Sequence, residues 1–259
     1  MPTTADTAFG TALREWRARR RRSQLDLALD ADVSARHVSF LETGRARPSR
    51  AMVLRLAGAL DLPHDARDAW LHAAGFAPAF RRRAADDAEM RAARDAVAWM
   101  VDRHDPFPGF ALDRHWRILR ANRCAAALLG GFGVEEGDSL LDAFLGCAPL
   151  RAAIVNADEV AAHTRARLAA QARHYGDDPV LADALARLDA LHGHAEPEPT
   201  AAFVPVRYRV GGTELSLLSA FAHFQTAQDI ALSEWRVELM FPADEGTRTI
   251  LTKTAASPP

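Results

Sequence analysis

The sequence predicts two domains of different class: an all-α N-terminal domain, then an α+β domain built on an antiparallel sheet of about five strands. Three observations carry this. Apolar residues over 9–80 recur at helical spacing in short runs separated by caps and turns. Residues 201–241 instead alternate with period two. The charge divides at the same place: residues 1–83 hold 15 Lys and Arg against 9 Asp and Glu, whereas the rest holds 17 against 25. A chain of 259 residues with 49% hydrophobic content can bury a core in each half.

The elements follow in order. Phe9, Leu13 and Trp16 give the first helix one apolar face, and the run Arg19–Arg22 suits its C-terminal dipole. Ser23 caps a second helix, with Leu25, Ala28 and Leu29 inward. Asp32 and Val33 break the pattern. Ser34 caps a third helix with Val38 and Leu41 inward, and Gly44 ends it. Pro48-Ser49 opens a fourth, cored by Val53, Leu56, Ala57 and Leu60, and a fifth spans Asp65–Ala74. A junction helix, Asp86–Arg103, starts at Asp86 and carries the stripe Met90, Ala93, Val97, Met100, Val101 before Asp105-Pro106 stops it.

Beyond the junction, Phe110–Leu112 and Trp116–Arg120 read as strands around a turn, followed by a helix from Asn122. Asn156 with Glu159 predicts a capping box for a helix reaching Tyr175. Pro179 opens another, with Leu181, Leu185, Leu188 and Leu191 inward. Gly211-Gly212 marks a hairpin between two alternating strands, and Trp235, Val237, Leu239 and Phe241 form a third strand's buried set, set against Arg236, Glu238 and Met240. The meander has one buried face on this reading, and the final TAASPP is a frayed tail. The predicted boundaries are 1–83, a junction at 84–103, and 104–255.

Several function classes are not supported. No apolar run approaches the roughly 18 residues of a membrane helix, and residues 1–10 lack the pattern of a secretory signal, so the expected location is the cytoplasm, away from membranes. Cys124 and Cys147 give neither a disulfide framework nor a zinc spacing. His192-Gly193-His194 lies beside Glu196 and Glu198 but lacks a third ligand of fixed spacing, so no metal is expected. No nucleophile elbow, phosphate loop or dinucleotide fingerprint occurs; no catalytic residue is assigned, and the protein is expected not to be an enzyme.

The informative stretch is SQLDLALDADVSARHVSFLETGRARPS. It has the parts of a helix-turn-helix: the small Ala28 where two helices meet, a tight turn at Asp32-Val33, and Val38 and Leu41 anchoring the second helix. Ala35, Arg36, His37, Ser39 and Phe40 then face outward. Arg36 suits bidentate contact with guanine, Ser39 a base edge or phosphate, and Phe40 a thymine methyl. Gln24, at a helix N-terminus, suits a phosphate. The basic N-terminal half fits a polyanionic partner, double-stranded DNA.

At Ser23-Gln24, Leu27-Ala28, Val33-Ser34, Val38-Ser39, Leu41-Glu42, Gly44-Arg45 and Pro48-Ser49 the chain resembles the lambda-repressor-like, xenobiotic-response-element (XRE) regulators over residues 9–62. That likeness implies DNA reading by the Ala35–Phe40 face, with Ser34 and Arg45 completing the DNA-facing set, and a structural role for Glu42. Asp32 stands where that family usually has Gly. The words FPGFALDRHWRILRAN, IVNADEV, DDPVLADAL and FVPVRYRVGGTELSLLSAFAHF resemble the MmyB-like ligand-binding domain over about 104–251. This implies a PAS-like fold, a sheet crossed by helices around an apolar pocket for a small hydrophobic ligand, with fatty acids a plausible class and no other cofactor. From the residues themselves, Trp99, Phe110, Trp116, Leu128, Phe144, Phe221, Phe224 and Trp235 are candidates for its wall, and Asn122, His163, Arg167 and His223 for its polar contacts. Capping is Asn122's first explanation. The expectation is a ligand-responsive homodimeric transcription regulator; the alternative is a second domain that serves dimerisation or protein contact.

Overall fold

The computed structural model describes residues 4–84, 86–176, 178–193, 203–224 and 227–256. The chain divides into two compact units: Met1–Arg82 with Ala170–Asp178 and Gln228–Ile230, and Arg83–Ala169 with Pro179–Ala227 and Ala231–Pro259.

Within the first unit, α1 (Thr4–Arg19), α2 (Gln24–Asp30), α3 (Ala35–Glu42), α4 (Arg50–Ala59) and α5 (His64–Ala73) surround one core. Phe9, Leu13, Leu27, Ala28, Val38, Leu41, Val53, Leu56 and Trp70 are all buried in it. The caps are those the sequence advertises. Ser23 and Asp26 form a reciprocal capping box, and the Ser34 and Ser49 hydroxyls accept from the amides of His37 and Met52. Asp32 adopts φ 50°, so the turn is left-handed where the related family has glycine; Asp is among the few side chains that visit this region. Gly10 lets α1 approach α3: a Cβ there would lie 2.7 Å from the Leu41 carbonyl and 2.8 Å from that of Glu42. The inward stripe expected on α2 is corrected. Leu27 and Ala28 are buried, while Leu25 and Leu29 are 59% and 71% exposed, because seven residues of helix bury only the side opposed to α3.

The second unit opens with a 3-10 turn, Ala88–Met90, capped by Asp87 rather than Asp86, and runs directly into α6 (Arg91–Asp102). Then come β1 (Gly109–Leu112), β2 (Ile118–Ala121), α7 (Arg123–Gly130), α8 (Leu140–Gly146), α9 (Ala148–Ala153), α10 (Ala157–Tyr175, in this unit as far as Ala169) and α11 (Pro179–His192). The hairpin β3 (Val206–Val210) and β4 (Thr213–His223) precedes α12 (Ile230–Glu234), β5 (Arg236–Pro242) and α13 (Glu245–Ala256). All strand pairings are antiparallel in the order β2-β1-β5-β4-β3, so the last strand lies at the centre. This is the five-stranded α+β sheet the sequence predicts. Gly211 and Gly212 both have positive φ, 57° and 79°, as a two-residue hairpin turn with right-handed strand twist requires.

The sheet is covered on both faces, which corrects the single buried face expected. Phe110, Leu112, Leu215, Leu217 and Met240 pack with Ala125 and Leu129 of α7 and Leu251 of α13. Ala111 and Val237 pack on the opposite side with Met90, Val97 and Val101. The stripe of the junction helix is therefore buried against its own sheet. The parity reading of β5 holds for Trp235 and Val237, which are buried, and fails beyond them for the same reason: Glu238 and Met240 are buried too, and Phe241 is exposed. Asn156 does not form the expected capping box. Its Nδ2 donates to Glu159 and to the Pro205 carbonyl, and its Oδ1 accepts from the Arg207 amide, so it ties the start of α10 to β3. Leu191 is exposed on α11, and the residues read as a frayed tail are helical as far as Ala256. The loop read as a weak metal candidate continues into 194–199, outside the described residues.

Candidate nucleic-acid interface and ligand cavity

α3 presents its outer side opposite Val38 and Leu41, which are fully buried. Ser34, Arg36 and Arg45 are exposed, and Ala35, His37, Ser39 and Phe40 are half-buried at its edges. The Arg36 guanidinium lies 5.1 Å from the centre of the Phe40 ring one turn on, so the two side chains form a single surface unit. That geometry holds the cation on the helix face, with no ion pair to an acidic side chain among the described residues, and leaves it able to meet a guanine edge.

The helix pair is held from beneath by Glu42. Its carboxylate, 2% exposed, accepts from Arg17 Nε at 2.7 Å and Nη2 at 3.2 Å, and from Gln24 Nε2 at 2.8 Å. Arg14 Nη2 donates to the Glu42 carbonyl at 2.9 Å. One carboxylate thus ties α1, α2 and α3 with charge-assisted bonds. The Gln24 amide nitrogen, expected on a phosphate, is engaged with Glu42; what Gln24 offers outward is its backbone N–H in the first turn of α2, where helices leave donors unpaired.

In the second unit a cavity of about 90 Å³ lies between the sheet and the helices that cross it, walled by Phe110, Leu129, Phe144, Leu150, Ile154 and Met240. Four polar side chains also line it: Thr164, Arg167, Tyr208 and Glu238. The Arg167 guanidinium is stacked between two rings, 4.4 Å from that of Trp116 and 4.2 Å from that of Phe221. Its Nη2 is 3.9 Å from Glu238 Oε2, an ion pair too long for a hydrogen bond. Burial lowers the Arg167 pKa from its ordinary value, opposed by Glu238. Burial also pushes the Tyr208 phenol up, with Glu238 adding to the effect, so it remains a neutral donor. Trp116, whose ring lies against Arg167, has φ 62°, a costly conformation for a bulky residue. A second, open groove of about 460 Å³ is lined by Cys124, Leu128, Val210, Leu215 and Ile250.

Family models match both parts of the chain. Residues 8–70 match a helix-turn-helix domain. Residues 93–253 match the MmyB-like transcription regulator ligand binding domain, more than half of the chain. The chain belongs to the MmyB-like transcription regulators. No curated protein matches it. The two matches make it a DNA-binding transcription regulator, and no helix among the described residues is long and apolar enough to cross a membrane.

In this regulator the sequence-derived wall residues separate into groups. Phe110, Trp116, Phe144 and Arg167 come together at the smaller cavity, with Phe221 at its rim over Arg167. Leu128 faces the larger groove instead. Trp235 and Phe224 pack on the opposite sheet face with the α6 cluster. Trp99 is 63% exposed, with the Arg103 guanidinium 5.5 Å from its ring centre, because α6 turns Val97 and Val101 inward. His223 is exposed, and His163 does not line the cavity. Asn122 is a cap: its Oδ1 accepts from the amides of Ala125 and Gly109, and its Nδ2 donates to the carbonyls of Phe107 and Val101. No capacity is left for a ligand. Glu238, Tyr208 and Thr164 escape the sequence reading. A charged residue on the even positions of a strand signals solvent until both faces are known to be covered.

Proposed function

We propose that this regulator binds its operator as a homodimer, under control of a small hydrophobic acid, of which a fatty acid is the simplest case, held in the Arg167 cavity. The observation that carries the ligand reading is the Arg167 guanidinium, half-buried among aromatic rings and making no hydrogen bond among the described residues. A guanidinium offers five N–H donors in a fork that fits a carboxylate. Beneath it, apolar walls suit a short chain. The homodimer follows from the size of the reading head. One recognition helix covers too few base pairs for genomic selectivity, and a two-fold pair reads half-sites about 34–36 Å apart. The ligand regulates by binding the operator-competent and incompetent forms unequally, since equal affinity shifts nothing.

The test begins with solvent extraction of the purified protein and mass spectrometry of the extract, followed by calorimetry with alkanoic acids of increasing length. Affinity is expected to rise with chain length only until the cavity is filled, and Arg167→Met to weaken every acid at least tenfold. Operator affinity is measured with and without saturating acid. Absence of binding by all the acids, or binding that leaves operator affinity unchanged, refutes the reading and leaves the second unit as a dimerisation or protein-contact module.

A further inference from the structure

We propose that the cavity selects a compact apolar acid that carries a hydrogen-bond donor, an amino or hydroxyl group, on the carbon next to its carboxylate. This rests on the reading above that the Arg167 cavity is the ligand site, and goes on to name the chemistry of its occupant.

The polar lining decides the head group. An unsubstituted alkanoate placed on Arg167 brings a second carboxylate up to Glu238, whose Oε2 is only 3.9 Å from the same guanidinium. Two carboxylates sharing one cation repel each other, and strongly so away from water. The Glu238 side chain is 8% exposed, and its carboxylate makes no hydrogen bond among the described residues. A buried carboxylate without donors is costly to keep, and a ligand that supplies one removes that cost. A donor on the α-carbon sits beside the carboxylate it accompanies, which matches two protein groups that are themselves adjacent: the carboxylate goes to Arg167 and the donor to Glu238. The hydroxyls of Thr164 and Tyr208 line the same space and likewise form no hydrogen bond among the described residues. The cavity therefore holds donors and acceptors together, and a purely acceptor-type head answers only half of them.

The size decides the tail. An apolar cavity of about 150 Å³ holds benzene. In proportion, about 90 Å³ gives room for roughly four carbons beyond the head, bounded by Phe144, Leu150 and Ile154. Trp116 and Phe221 keep the guanidinium in place at the rim, so the head is fixed before the tail is chosen.

The experiment is calorimetry on the full chain with four probes: hexanoate, 2-hydroxyhexanoate, 2-aminohexanoate and dodecanoate. The expected result is that at least one donor-bearing acid binds tenfold or more tightly than hexanoate, and that dodecanoate gains nothing over hexanoate. Glu238→Gln, its fold checked by near-ultraviolet circular dichroism, is expected to cut the preference for the amino acid about tenfold and the preference for the hydroxy acid less. The ranking in the unmodified protein decides the matter without any variant. Hexanoate binding as tightly as both substituted acids, or dodecanoate binding tightest, overturns the proposal while leaving an acid-binding cavity in place. Failure of all four to bind overturns both.

Discussion

Removing the Glu42 carboxylate tests how the reading head is held together. In the free protein that group accepts two bonds from Arg17 and one from Gln24, and is nearly inaccessible to water. Hydrogen bonds to charged groups contribute about 1.5–3 kcal/mol each and do not add when they share one acceptor. Arg17, 17% exposed, regains part of its hydration when the partner is lost, which lowers the penalty for an unpaired cation. Glu42→Ala is therefore expected to destabilise the N-terminal unit by about 3 kcal/mol. For a unit of this size that corresponds to a fall of roughly 10–20 °C in its transition. Glu42→Gln keeps the volume and one acceptor, and its loss is expected to be smaller. Scanning calorimetry of the full chain, with urea unfolding followed by circular dichroism as a second measure, reads the effect. A Glu42→Ala midpoint equivalent to less than about 0.5 kcal/mol of change would show that the buried cluster contributes nothing and that α1, α2 and α3 are held by the apolar core alone.

Other outcomes follow from the same geometry. Arg36→Ala is expected to weaken specific operator binding by about 1–3 kcal/mol and to relax preference at one base pair, whereas Gln24→Ala removes the bond to Glu42 but keeps the backbone N–H of α2 and is expected to change binding to operator and scrambled DNA little; titration on both sequences separates them, and an unchanged Arg36→Ala sinks the recognition-helix assignment. Gly10→Ala forces a methyl against the backbone of α3 and is expected to cost about 1–3 kcal/mol in urea unfolding; a neutral result means that α1 shifts freely. Burial pushes the Cys124 thiol up to about 11, with Asp105 adding to it. In a Cys147→Ser protein at pH 8, iodoacetamide is expected to alkylate Cys124 about 10²-fold more slowly than a free cysteine, and equal rates would show an open, ionised thiol. Light scattering is expected to give the mass of two chains plus one duplex on operator DNA; a monomer both free and bound refutes the dimer.

The helix-turn-helix was legible because its constraints are local. Ser23, Ser34 and Ser49 are caps by residue type, the left-handed turn falls on Asp32, and Ala28, Val38 and Leu41 sit where two short helices can meet only one way. Cooperation within about 25 residues needs little information from the rest of the chain. The strands of the second unit were legible too, through period-two alternation and the Gly211-Gly212 turn. The cavity was legible only in part. Phe110, Trp116, Phe144 and Arg167 were read as candidates, but so were Trp99, Trp235 and His223, which lie elsewhere, since an aromatic residue looks the same in sequence whichever side of a sheet it covers.

By itself the sequence determined the class of each unit, the caps, the hairpin and the outward face of α3, because each depends on residues a few positions apart. Tertiary structure alone decided which carboxylate meets which cation. Glu42 is joined to Arg17 across 25 residues, and Glu238, on the central strand of the sheet, faces Arg167 on α10, 71 positions away in sequence. Strand alternation assigns residues to two faces but does not say what covers each face. Only when α6 packs on one side, and the crossing helices on the other, does Glu238 change from a solvent-facing charge into a buried acceptor beside Arg167.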